Sequence, residues 1–173
     1  MAVDMFLKLG DIKGESQDKA HKDEIDVLAW SWGASQSGTT HMGSGSGSGK
    51  PNFQDLSFTK YVDKSSTDLM KFLTKGTHIE TASLVVRKAG DGQMEYIVLD
   101  IADIIVSSIS TGGSGGEDRL TENVTLNFGA YSYVYVPQTE AGAPDTATEW
   151  KWDIAQNTEA FDGTVHTPAG PQS

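Results

Sequence analysis

The chain has 173 residues and no cysteine, which fits one domain with its own core and excludes disulfides, thiol catalysis and thiolate metal sites. Its 13 basic and 24 acidic side chains give a formal net charge of -11. That balance argues against nucleic acid or an anionic membrane as a partner, because both select a basic surface.

The first third of the chain is predicted to contribute three strands. Alternating apolar residues predict the first from Val3 to Leu9, and residues 24–35 (EIDVLAWSWGAS) and 53–62 (FQDLSFTKYV) predict the next two. The second strand is apolar on both faces, which indicates burial on both sides or an interface on one of them. Between the last two, residues 36–52 contain five glycines and predict a flexible loop.

One helix is predicted, over residues 65–76. Leu69, Phe72 and Leu73 form an apolar stripe at helical spacing, Ser65 or Ser66 is suited to cap the first turn, and Gly76 marks the end. The stripe predicts that one face of this helix packs on the core. No alternation of strands with helices follows, so a doubly wound nucleotide-binding fold is not expected.

The second half predicts a hairpin and then the longest alternating pattern of the chain. Residues 80–88 and 94–107 pair across the turn at residues 89–92, and the second of these strands is apolar on both registers. Such a strand fits a barrel wall that is covered on its outside. After a glycine-rich reversal at residues 110–119, alternation from Leu120 to Val136 predicts one long strand with Tyr131, Tyr133 and Tyr135 facing outward.

The chain ends with a strand at residues 149–157 and a loose tail. Together these segments give seven or eight strands with one helix, a mainly β protein. The sequence predicts a β-barrel domain over residues 1–157 and a loose C-terminal tail over residues 158–173.

No catalytic or cofactor-binding motif is complete. The Gly/Ser-rich loop fails the phosphate-loop test, because Ser44 stands where that motif needs glycine and Pro51 where it needs Ser or Thr. Gly112, Ser114 and Gly116 match the nominal GxSxG pattern but lack its strand-to-helix context. The four histidines (His21, His41, His78 and His166) lie in separate loops and are expected at the surface. The sequence predicts no enzyme, no cofactor and no metal site.

Three motifs resemble the haemolysin-coregulated protein (Hcp) family, the tube-forming subunits of the type VI secretion system. They are EIDVLAWSWGASQSG (residues 24–38), FQDLSFTKYVDKSSTDLM (residues 53–70) and VSSISTGGSGGEDRLTENVTLNF (residues 106–128). The resemblance extends from Met1 to about Asn157, and the three motifs are specific in combination. It implies a small antiparallel β-barrel of about seven to nine strands with one short α-helix packed at its side.

The resemblance also implies a function. Six copies form a ring, rings stack into a hollow tube, and the tube is expelled by a contractile sheath with a spike protein at its tip. Small effector proteins are sheltered in the lumen. The chain is accordingly expected to be made in the cytoplasm without a cleaved signal, to be secreted through this system, and to contact neither nucleic acid nor the membrane interior.

Two groups of residues are candidates for these contacts. The Gly/Ser-rich loop corresponds to the family's extended loop, so Gln36, His41, Met42 and Lys50 are candidates for contact with the adjacent ring. In a ring, neighbouring subunits would cover outward strand faces. The candidates for that subunit interface are Ser31, Thr125, Tyr131, Tyr133 and Tyr135.

The alternative is a monomeric β-barrel module that binds a small ligand or carbohydrate. Trp30, Trp32, Trp150 and Trp152 would then form its stacking surface. Burial of Trp30 and Trp32 would argue against this alternative.

Overall fold

A computed structural model describes residues 2–37, 50–90 and 92–171, and the predicted class, a mainly β barrel with one short helix, is confirmed. In chain order the elements are β1 (Val3–Leu9), β2 (Ile25–Ser31), β3 (Ala34–Ser35), β4 (Asn52–Phe53), β5 (Leu56–Tyr61), α1 (Ser65–Lys75), β6 (Ile79–Lys88), β7 (Glu95–Thr111), β8 (Thr121–Asn127), β9 (Ala130–Tyr135) and β10 (Thr148–Asp153).

Six strands close into an antiparallel barrel in the order β7-β6-β1-β2-β5-β8, with β8 pairing back onto β7. β9 and β10 extend the sheet sideways from the first half of β7. The joint between β1 and β2 is short, because only Phe6↔Asp26 and Leu7↔Ile25 are in register. β3 and β4 pair only with each other and form the base of the Gly/Ser-rich loop.

The prediction of one continuous strand from Leu120 to Val136 is wrong in one respect. The segment is divided at Phe128 and Gly129 into β8 and β9. Both halves still pair with β7, from Thr111↔Glu122 to Ile97↔Tyr135. The break lies opposite Asp103, which has a left-handed φ of 54°. Glycine suits position 129, because a Cβ there would lie 3.2 Å from the Asp103 Cβ, a tight contact that a small shift would have to relieve. Period-two alternation does not reveal such a kink.

α1 packs one side against the barrel as its apolar stripe predicts. Leu69 is fully buried, while Phe72 and Leu73 are half-buried against the core, and Gly76 ends the helix with a left-handed φ of 62°. The predicted cap is wrong: the N-cap position is Lys64, which donates or accepts no capping side-chain hydrogen bond. Instead, the Asp63 carboxylate accepts from the backbone N–H of Ser65 at 2.9 Å. This helix of 11 residues, the one helix described, is too short to span a membrane.

The barrel wall is apolar on both sides, as the sequence of β7 predicts. Leu99 and Ile101 point into the main core, whereas Val98 belongs to a second apolar cluster with Val85, Met94, Val134 and Val136. Residues of the same chain lie over this outer side, because the tail crosses β7 there. The backbone N–H of Glu95 donates to the Ala169 carbonyl at 3.1 Å. The prediction of a loose tail is therefore wrong between residues 163 and 169.

Candidate assembly surface

One side of the barrel is a four-stranded sheet of β2, β5, β8 and the second half of β7. Its inner row is apolar: Trp30↔Phe58, Phe58↔Val124 and Val124↔Ile109. Its outer rows consist of small uncharged residues. They are Ser31–Ser57–Thr125–Ser108 and Ala29–Thr59–Asn123–Ser110. On a chain of net charge -11, eight adjacent positions without charge mark this face as distinct from the rest of the surface.

Hydrogen bonds connect the hydroxyl and amide groups on this outer face. The Thr59 hydroxyl donates to Asn123 Oδ1 at 2.6 Å, and the hydroxyls of Ser108 and Thr125 lie 2.6 Å apart. At one end Asp55 accepts from the Ser107 hydroxyl at 2.7 Å and from the Asn127 amide at 2.9 Å. The face is thus ordered and polar, but carries no cluster of charge that would repel an identical neighbour.

Both lateral edges of this sheet lack a partner strand among the described residues. β2 is paired with β1 only up to Asp26, so its edge from Leu28 to Ser31 is open. β7 pairs with β6 only up to Ile104, so its edge from Ile105 to Thr111 is open on the side away from β8. An open edge presents unpaired backbone N–H and C=O groups, which favour pairing with another chain.

A buried ion pair fixes the middle of the sheet to the start of α1. Lys60 Nζ lies 2.5 Å from Glu122 Oε1 and 3.0 Å from Asp63 Oδ1, and the Lys60 side chain is fully buried. The Ser66 hydroxyl donates to Glu122 at 2.6 Å. Lys60 and Glu122 are 62 positions apart, so sequence spacing does not identify them as partners.

The predicted interface residues do not all lie at the surface. Ser31 is exposed on the edge strand β2, and Thr125 is half-buried in the middle of the outer face. Tyr135 is 44% exposed, whereas Tyr131 is only 6% exposed. The outward register predicted for Tyr131 is wrong, because its ring packs edge-on against Trp32 at 4.8 Å and also against Phe53. Tyr133 is half-buried beside Trp32.

The loop candidates are only partly described. Gln36 and Lys50 are exposed at the two sides of the β3–β4 base, and Gln36 Oε1 accepts from the Ser37 backbone N–H at 3.0 Å. His41 and Met42 lie outside the described residues.

The tryptophans do not share one stacking surface. Trp30 and Trp32 are half-buried and pack against the main core, whereas Trp150 and Trp152 stack on each other on β10 with ring centroids 6.1 Å apart. Trp150 alone is strongly exposed, at 48%. A row of four stacking tryptophans, which the ligand-binding alternative requires, is not formed.

A second polar cluster, missed from the sequence, lies on the outer side of β7. We call His21, Glu24, Glu95 and His166 the latch cluster. Glu95 accepts from His21 Nε2 at 2.8 Å through one oxygen and from His166 Nε2 at 2.6 Å through the other. His21 Nδ1 lies 3.1 Å from Glu24. The surface placement predicted for His21 is wrong, because the residue is 1% exposed and its ring stacks on Phe6.

The latch cluster has strongly shifted titrations. Burial alone would lower the pKa of His21, but the hydrogen bonds to Glu24 and Glu95 outweigh it and raise this pKa to about 9. Burial would raise the pKa of Glu95, yet the two histidines and the Ala169 N–H hold it far below its usual range. These groups form ion pairs that join the barrel to the C-terminal segment. Among the described residues no group of three or more His, Cys, Asp or Glu is arranged to hold a metal ion.

The described residues form a closed barrel with a polar outer sheet and two open strand edges. Comparison with known proteins identifies the family to which the chain belongs. The sequence model of the family described as "Type VI secretion system effector, Hcp" matches residues 6–135. The chain therefore belongs to the Hcp family, and it is a tube protein of the type VI secretion system.

Individual relatives agree. Protein hcp1 of Pseudomonas aeruginosa is 59% identical over 162 residues, which cover 92% of this chain and all of that protein. The crystal structure of Hcp1 from Salmonella typhimurium is 38% identical with a TM-score of 0.77, covering 92% of this chain and 100% of that one. A structure described as a type six secretion system protein has a TM-score of 0.85 at 29% identity, over 91% of this chain and 99% of that one.

Proposed function

We propose that this chain forms a closed ring in which the open edge of β2 in one copy pairs with the open edge of β7 in the next. The observation that carries the proposal is the four-stranded sheet, whose two edges on opposite sides have no partner strand within residues 2–37, 50–90 and 92–171. An interface made of two different edges is heterologous, so a rotation that closes gives a ring rather than a dimer.

The strand directions support this pairing. β2, β5, β8 and β7 are antiparallel to their neighbours in turn, so β2 and β7 run in opposite directions. Copies related by rotation about one axis would then place β7 antiparallel to the next β2. The sheet would continue around the ring without any change of pairing type.

The ring size follows from the family resemblance and gives a geometric expectation. About six copies would contribute about 24 strands, and strands about 4.8 Å apart would enclose a channel about 37 Å wide between backbones, wider if the strands tilt. If the outer face of the sheet lines that channel, its uncharged hydroxyl groups would offer hydrogen bonds to a guest of either charge.

The remaining partners are proposed from family membership. Rings stack into a hollow tube, with contacts from residues 36–52 to the adjacent ring. A spike protein occupies the tip, a contractile sheath drives the tube out of the cell, and small effector proteins travel in the lumen.

Disulfide trapping tests the edge pairing, since the chain has no native cysteine. Ala29→Cys with Ser110→Cys, and Ser31→Cys with Ser108→Cys, place one thiol on each edge strand. Within one copy these positions are three strand spacings apart, about 14 Å, which is too far for a disulfide. Oxidation should therefore yield a ladder of linked chains that ends at the ring size. The single-cysteine variants are controls and should give at most dimers.

Light scattering and negative-stain microscopy of the same samples separate the outcomes. Rings together with a ladder support the whole proposal. Rings without a ladder from either pair would mean that the ring exists but closes through other surfaces. A monomeric mass over a wide concentration range would overturn ring formation itself.

A further inference from the structure

The C-terminal segment is attached to the barrel by polar contacts concentrated on β7. The backbone N–H of Ala169 donates to Glu95 Oε2 at 2.8 Å, and the backbone N–H of His166 donates to Asp100 Oδ2 at 3.2 Å. The ring of His166 reaches the same Glu95 carboxylate. Further back, a Cβ on Gly163 would lie 3.0 Å from the Ala102 Cβ. The segment thus crosses the outer side of β7 from Ala102 to Glu95.

This crossing covers apolar surface. Val98, which lies between the contact points on β7, is 0% exposed, and Ala102 is 8% exposed. Few apolar groups of the segment itself are buried: Val165 is 53% exposed, and Phe161 is half-buried. Since apolar burial holds the segment weakly, its polar contacts carry a large share of the attachment.

We propose that residues 161–171 form a strap over the outer side of β7 which the latch cluster holds closed while His166 is protonated, and which opens as the pH rises. Opening would expose the outer apolar side of the barrel wall around Val98. Glu95 is the anchor, because it holds His21 from the barrel side and His166 from the strap.

The charges around the anchor define the direction of the effect. Arg87 lies on the same side of the barrel as Glu95. Its charge is already neutralised by Asp18 and Asp4, with nitrogen to oxygen distances of 2.5 and 3.1 Å. The charged and titratable groups that face the latch come from the loop before β2, from β1, β6 and β7, and from the strap. They are Asp18, His21, Glu24, Asp4, Arg87, Glu95, Asp100 and His166.

The pKa of His166 sets the pH window for opening. The hydrogen bond to Glu95 raises the pKa of His166, against burial and the neighbouring His21 charge. His166 therefore binds its proton more tightly when the strap is closed than when it is open. The contribution of His166 is full below the ordinary histidine pKa of about 6.5 and is lost as the pH rises through the raised pKa that His166 has in the closed state. His21 keeps its hydrogen bonds to Glu24 and Glu95 when the strap leaves, so the pKa of His21 does not set this window. The lowered pKa of Glu95 keeps its carboxylate ionised below the pH at which a glutamate ordinarily protonates.

Asp100 acts in the same direction as the histidines. Burial raises its pKa, so its ionised form is disfavoured in the closed state even though the Ser83 hydroxyl and the His166 N–H donate to it. The response above pH 6.5 is expected to come from His166, whose raised pKa depends on its contact with Glu95.

Hydrogen–deuterium exchange of peptides from residues 161–171, corrected for the intrinsic pH dependence, measures strap opening in the full-length protein. The opening constant should rise above pH 6.5 by up to about tenfold per pH unit for each proton released. His166→Gln keeps a neutral donor near Glu95 but does not titrate. Its strap should be less protected at pH 6, and its opening should vary much less with pH.

His78→Gln is the matched control, because His78 is exposed and lies outside the latch cluster. It should exchange like the unaltered protein. A pH-independent opening constant in the unaltered protein would overturn the proposal, and so would an unchanged slope in His166→Gln. Histidine NMR titration gives a second measurement that does not depend on a variant: a His166 pKa at or below 6.5 would also overturn it.

Discussion

Replacing Lys60 by methionine tests how far the buried ion pair stabilises the sheet. The ammonium group contacts Glu122 at 2.5 Å and Asp63 at 3.0 Å, and the side-chain exposures of the three residues are 0%, 4% and 8%. Methionine fills much of the same volume but leaves two carboxylates facing each other with no cation. Glu122 would then retain the Ser66 hydroxyl as a donor.

The expected loss is large. Removing one partner of a buried ion pair costs about 3–5 kcal/mol, because the other charge stays buried and uncompensated. A domain of this kind has a free energy of unfolding of about 5–15 kcal/mol, so the variant should be folded but marginal. Lys60→Met with Glu122→Leu removes both charges, and its loss should be smaller than that of the single variant by about 2 kcal/mol or more.

Urea unfolding followed by circular dichroism measures both variants. With a slope of about 2 kcal/mol per molar urea, the single variant should shift the midpoint down by about 1.5–2.5 M. Protein concentration must be held constant, because assembly stabilises the folded state by mass action. Lys64→Met, on an exposed lysine beside the pair, is the control and should shift the midpoint little. A Lys60→Met midpoint equal to that of the control would refute the reasoning.

Three further predictions concern assembly and core packing. Ser31→Arg on the edge strand should weaken ring formation by about tenfold or more, and Thr125→Arg should weaken it less, with folding intact in both variants. Light scattering measures ring formation and circular dichroism measures folding. Equal effects of the two variants would contradict edge pairing. Deleting residues 38–49 should leave rings intact but abolish stacking, so normal tubes by electron microscopy would be the contrary result. Tyr131→Ala should lower the free energy of unfolding by about 3–4 kcal/mol, whereas Tyr135→Ala, the exposed control, should lower it by less than about 1 kcal/mol. Similar urea midpoints for the two variants would contradict the burial of Tyr131.

The structure shows where local patterns stop being informative. Alternation places Tyr131 and Tyr135 on the same register, yet one is 6% and the other 44% exposed. The difference arises because Trp32 and Phe53, on the two sides of the Gly/Ser-rich loop, pack against Tyr131. These contacts join segments far apart in sequence. No single-strand pattern contains them.

The latch cluster was hidden for the same reason. His21 and Glu95 are 74 positions apart, and Glu95 and His166 are 71 apart. In the sequence each histidine has the pattern of a polar loop residue. Only the folded chain shows that the Glu95 carboxylate binds both His21 and His166. Loop composition likewise predicted a loose tail, whereas backbone and side-chain hydrogen bonds from β7 fix it.

By itself the sequence determined the mainly β class, most strand positions, the helix with its apolar stripe and glycine stop, and, through three motifs, the family. These properties depend on residue order over short windows, where side-chain period and turn chemistry act directly. Tertiary structure decided which strand edges stay open, where the long strand bends, and which buried charges meet. Those outcomes depend on barrel closure, which brings distant segments together and cannot be read from any one of them.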